Sequence, residues 1–210
     1  CFRFALERLR GPSAEDDILR DLIGMPLTQC FMQLLSTEDV DRLDEAVAAY
    51  RERYSTLGWQ ESDLYAGVPE ALRRLADAGC RLILCTTKPH VFAVKILEGD
   101  GLLPLFHRVV GAELDGRLAD KAEQIAFILR EENLATDSCW MVGDRHYDIV
   151  GAHRNDMRCL GVLYGYGSRE ELADADALAA TPAEMAEVLF RDTANDQRDQ
   201  HPATGEGDTA

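Results

Sequence analysis

Two acids stand close together in "CWMVGDRHYDIVGA" (139–152): Asp144, where an apolar run ends in Gly143-Asp144, and Asp148, one helical turn further on. Oxygen ligands at a single edge suit a hard divalent cation such as Mg²⁺, which binds through one or two carboxylates and keeps waters and substrate phosphate oxygens. Two further polar features fall at comparable places. Thr86-Thr87-Lys88 closes the apolar run "LILC", and Lys121 opens a helix after "GAELDGRLAD". In an open parallel sheet, ligands bind beyond the carboxyl ends of the strands, where the next helices begin. A hydroxyl, an ammonium and a carboxylate-held Mg²⁺ around such an edge would bind a phosphoryl group. Each feature alone has a plainer explanation. Thr86 could cap a helix before Pro89, Lys121 could be a solvated surface lysine, and the two acids could favour a helix N-terminus. Their agreement in position carries the phosphoryl reading.

The elements that must position these residues follow from patterning. From Tyr65 onward, helix and strand alternate. "GVPEALRRLADAG" is a helix with Pro69 in its first turn and Gly79 past its end. The strand "CRLILCTT", the helix "PHVFAVKILEGDG", the strand "FHRVVGAEL" and the helix "DKAEQIAFILREENL" come next. The strand "SCWMVGD", the helix "YDIVGAHRND" and the strand "RCLGVLYG" complete the series. Strands separated by helices in this way predict an α/β, Rossmann-like parallel sheet with helices on both faces. Residues 1–62 read instead as all helix. "SAEDDILRDLI" opens on a capping Ser13, "GMPL" is a turn, a short apolar helix lies near 28–35, and "STEDVDRLDEAVAAYRERYSTL" repeats apolar residues at helical spacing. The expected organisation is a helical unit at 1–62, an α/β core at 63–190 and a disordered tail at 191–210, where apolar residues nearly vanish.

Composition excludes several classes of function. The net charge of −16, from 38 acids against 22 bases, repels a phosphate backbone and argues against a nucleic-acid partner. No stretch approaches the roughly 20 apolar residues of a membrane span. Six cysteines occur without a C-x-x-C pair, and Cys85 and Cys139 lie in apolar strand-like runs. They read as small buried hydrophobes in a reducing, cytoplasmic compartment.

The order "TTKP", then Lys121 within "RLADKAEQI", then "MVGDRHYDIVGA", then "GVLYGYGSREEL" resembles the haloacid-dehalogenase-like hydrolases, specifically their phosphoglycolate phosphatase branch. The resemblance covers nearly all of 1–190, with 1–62 similar to that branch's helical cap. It implies a Mg²⁺-dependent phosphatase acting on a small phosphorylated metabolite as monomer or homodimer. Thr86, with Thr87 beside it, would bind the transferring phosphoryl group, and Lys121 would stabilise its charge. Asp144 would ligate Mg²⁺, with Asp148 as a further ligand or an orienting residue. "GDR" stands here in place of the commoner Gly-Asp-Ser or Gly-Asp-Thr.

One expected part has no counterpart. The family attacks phosphate with an aspartate in a D-x-D-G-T motif ending its first strand, and no such motif occurs in this sequence. The acidic stretches "EDD" (15–17) and "DRLDE" (41–45) sit in helical text. The resemblance therefore implies that the chain begins about 20 residues late, a strand and a loop after the family's start. It also implies unpaired strand edges between the strands ending at Thr86 and Val142, where the family's first strand lies. Such a chain would be inactive, because an aspartyl-phosphate cannot form without the carboxylate. The competing readings are a non-catalytic protein that keeps the fold for binding or assembly, and a phosphomutase, dehalogenase or nucleotidase on the same scaffold.

Overall fold

The computed structural model describes residues 1–114 and 116–199. Its first part is helical: α1 (Phe2–Arg8), α2 (Asp16–Asp21), α3 (Leu27–Leu35) and α4 (Val40–Thr56). α4 begins at Val40 because the Asp39 carboxylate accepts hydrogen bonds from the amides of Asp41 and Arg42, at 3.1 and 3.4 Å. α2 departs from expectation. It starts at Asp16 after Glu15, and Ser13 does not cap it. Asp16 and Asp17 then fill the first turn, where the helix dipole favours negative charge. Apolar faces of these helices meet in one core around Ala5, Leu6, Cys30, Phe31, Leu43 and Ala46. The rings of Phe2, Phe31 and Tyr50 close it, edge to face or tilted.

The rest alternates as the patterning predicts: α5 (Val68–Asp77), β1 (Leu82–Pro89), α6 (His90–Gly99), β2 (Phe106–Ala112), α7 (Lys121–Glu131), β3 (Trp140–Gly143), α8 (His146–His153) and β4 (Arg158–Val162). Two elements had no clear sequence signal, the short β5 (Ala177–Ala179) and α9 (Pro182–Asp199). α9 runs on to Asp199, into the stretch assigned to the tail, and 200–210 lie outside the described residues.

Side chains of β3 and β4 separate by strand periodicity. Trp140, Val142, Leu160 and Val162 pack with Ala71 and Leu75 of α5 and Met185 and Ala186 of α9. Met141 and Cys159 pack on the other side with Ile125 of α7 and Ile149 and Ala152 of α8. Helices thus cover both faces, and the α/β class is as expected.

The strands are all parallel, but they form two hydrogen-bonded sheets among the described residues: β1 with β2, and β3–β4–β5. β1 pairs on one side with β2, Thr86 opposite Gly111, and β3 pairs on one side with β4, Gly143 opposite Gly161. The sheets lie side by side in one core, since Cys85 of β1 packs against the cluster that holds Met141. Among the described residues no helix is long and apolar enough to cross a membrane.

Candidate active site

Lys121 is the link between the two sheets. It opens α7, which Asp120 caps by accepting from the Glu123 amide at 3.1 Å. Its ammonium donates to the Cys85 carbonyl of β1 at 2.9 Å and lies 3.1 Å from Asp148 Oδ1 at the start of α8. Only 10% of the Lys121 side chain and 9% of Asp148 remain exposed. A pair so far from water is held by its geometry, because either charge left alone there would be strongly unfavourable. The surface-lysine explanation fails for Lys121.

Asp148 also accepts from the Arg145 amide at 3.2 Å, which ties it to the helix start, so the capping explanation for Asp148 holds alongside its pairing with Lys121. Asp144 sits in the turn between β3 and α8, and its Oδ2 accepts from the Tyr166 amide at 2.7 Å. Burial pushes the Asp144 carboxyl above its ordinary pKa, the Tyr166 amide pulls it down, and the charge of Asp148 adds to the rise. Thr86 does not cap α6. Its hydroxyl accepts from the Lys88 amide at 3.2 Å, while α6 starts after Pro89. Thr87 follows it half-buried in β1. The structure therefore joins Lys121 directly to Asp148 and sets Asp144 in the adjoining turn. Among the described residues no hydrogen bond links the Thr86 side chain to any of the three.

Several further residues support this arrangement, and of them only Gly143 stood out in the sequence, directly before Asp144. A Cβ on Gly143 would lie 2.3 Å from the Asp148 carboxylate, and one on Gly165 would lie 2.2 Å from Cβ of Asp144. A Cβ on Gly151 would meet the Lys121 stem at 2.7 Å. These glycines are the room into which the charged side chains fold. Gln124, fully buried, donates from Nε2 to the carbonyls of Thr86 and Leu118, both at 2.7 Å, and its Oε1 lies 3.3 Å from the Cys85 thiol. It holds the end of β1 against α7. Burial pushes the Cys85 thiol up to about 11, as suits a packed, unreactive cysteine.

Asp144 and Asp148 offer oxygen donors only, the type a hard cation takes, and a cation beside Asp144 would offset the cost of ionising it there. Among the described residues no cluster of three His, Cys, Asp or Glu side chains could hold a metal ion. The pair fits as part of a Mg²⁺ shell and does not complete one.

The comparisons identify the family. Residues 1–162 match the family model described as haloacid dehalogenase-like hydrolase. The chain is 42% identical over 170 residues to a 5'-nucleotidase of Pseudomonas aeruginosa, covering 81% of this chain and 76% of that protein. It is 28% identical over 195 residues to the phosphoglycolate phosphatase of Vibrio parahaemolyticus, covering 88% and 85%. The crystal structure of a predicted phosphatase from Clostridium acetobutylicum superposes with a TM-score of 0.86 at 31% identity, over 90% of this chain and 88% of that one. The chain belongs to the haloacid dehalogenase-like hydrolase family, on its phosphoglycolate phosphatase-like branch.

Proposed function

We propose that these residues serve a Mg²⁺-dependent phosphomonoester hydrolase that works through an aspartyl-phosphate. The observation that carries the reading is the position of Lys121, whose ammonium bonds the Cys85 carbonyl within β1 and Asp148 at once and so stands beside the acid turn at the end of β3. The Lys121 ammonium would stabilise charge on the phosphoryl oxygens, and the Thr86 hydroxyl would donate to one of them. Asp144 and Asp148 would hold Mg²⁺, which when bound supplies further neutralisation of phosphate charge.

The nucleophile belongs on a strand between β1 and β3. Support for that placement is that, among the described residues, each of these strands is paired on one side only. Because this sequence contains no D-x-D-G-T motif, the chain as written would not carry out the covalent step.

The test is phosphate release by the protein expressed from its whole reading frame. Release should require Mg²⁺ and collapse with Asp144→Asn, and full activity in excess EDTA would sink the mechanism. For the substrate, the 42% identity to a 5'-nucleotidase favours a nucleoside 5'-monophosphate over phosphoglycolate, and the ratio of kcat/KM for the two compounds decides between them. A non-catalytic binding role is the less favoured alternative, since Thr86, Lys121, Asp144 and Asp148 are all retained in this sequence.

A further inference from the structure

Arg145 joins the helical part of the molecule to the turn that carries the acids. Its amide donates to Asp148 Oδ2 at 3.2 Å, so its backbone belongs to the candidate site. Its side chain leaves in the other direction. Nε donates to Glu171 Oε1 at 2.8 Å, Nη2 to the Asp21 carbonyl at 3.1 Å and Nη1 to the Ile23 carbonyl. Those carbonyls lie at and just beyond the end of α2, where backbone acceptors lack partners within the helix and a positive charge is favoured. Only 13% of the Arg145 side chain is exposed. Gly24 makes the seat. Its φ of +99° turns the chain after α2, and a Cβ there would lie 3.1 Å from Cγ of Arg145. Glu171 also accepts from the His146 amide at 3.0 Å, so one carboxylate holds both the guanidinium and the first residue of α8.

We propose that Arg145 is a positioning residue through which the seating of the helical part sets the geometry of the Asp144–Asp148 turn. With the end of α2 in place, the planar guanidinium is fixed on three acceptors, and its backbone holds Asp148 against Lys121. Without the end of α2 in place, the fork loses two acceptors and keeps only Glu171. The turn is then free to move. Lysine cannot do the same work, because a single ammonium does not span a carboxylate and two carbonyls in one plane. The kinetic arm of this inference rests on the phosphatase reading; the exchange arm does not.

The experiment uses the protein expressed from its whole reading frame, with Arg145→Ala, Arg145→Lys and the milder Glu171→Gln. Hydrogen exchange at the Ile23 and Met25 amides, which bond to the Arg20 and Leu22 carbonyls, reports the end of α2. Arg145→Ala should speed exchange there while α3 and α4 keep their protection. It should raise KM for the phosphomonoester about tenfold, the scale of one charge-assisted hydrogen bond, and change kcat less. Arg145→Lys should not rescue either effect. Should Arg145→Ala fail to fold, Glu171→Gln should give the same pattern at smaller size. Unchanged exchange at Ile23 and Met25, or full rescue by lysine, overturns the proposal. A wild-type protein without phosphatase activity would count against the hydrolase alone, and the exchange pattern would still decide the role of Arg145.

Discussion

The two sheets of the α/β part bring opposite chemistry to the same place. The β1–β2 sheet ends in a hydroxyl, Thr86, and in carbonyls that Lys121 and Gln124 grip from α7. The β3–β4–β5 sheet ends in carboxylates, Asp144 and Asp148, packed against glycines. No ladder of hydrogen bonds joins the sheets among the described residues, so side chains and helix packing hold them together. Stability and chemistry therefore meet in the same residues, and substitutions that separate the two sheets should be felt in both.

The largest effect is expected from Lys121→Ala. It removes the bridge and leaves Asp148 buried and unpaired, at a cost of about 3–5 kcal/mol in thermal or denaturant unfolding. Replacing Asp148 by Asn in the same background should recover part of that loss. If Lys121→Ala melts like wild type, the ion pair does not join the sheets.

Gly143→Ala comes next. Its new Cβ would strike the Asp148 carboxylate, which lies 2.3 Å from the ideal position, and overpacking of this kind costs about 1–3 kcal/mol. Because that carboxylate pairs with Lys121, which in turn bonds the Cys85 carbonyl, hydrogen exchange should rise most around α8 and less along β1. Unchanged exchange around α8 would show that Asp148 accommodates the methyl group without moving.

The smallest effect concerns pH. Because the folded Asp144 pKa is raised above 3.8, the fold binds that proton more tightly than the unfolded chain does. Wild type should then lose stability as pH rises from 3.8 through the raised value. Asp144→Asn has no such proton, so its Tm should exceed wild type slightly at neutral pH, and the gap should close below 3.8. Added Mg²⁺ should narrow the gap at neutral pH by favouring the ionised acid. A Tm for Asp144→Asn below that of wild type at neutral pH would contradict the burial argument.

Much of this was legible in the residues because the signals are local. Strand and helix alternation appears as a change of apolar period, and Thr86, Lys121, Asp144 and Asp148 stand out because each follows an apolar run or opens a helix. Ser13 misled as a cap, since the acids at Asp16 and Asp17 start α2 later. β5 is three residues long, too short for any alternation to register. Arg145 shows in the sequence only as the departure in "GDR", because nothing near it indicates that its partners are the carbonyls of Asp21 and Ile23.

By itself the sequence determined the order of elements, the α/β class and which side chains stand at strand ends, because these depend on neighbours a few residues away. Only the tertiary structure decided that Lys121 spans two sheets, that Gly165 makes room for Asp144, and that an arginine ties the helical part to the site. Those contacts join residues dozens of positions apart. Their partners are set by packing, and packing leaves no periodic trace along the chain.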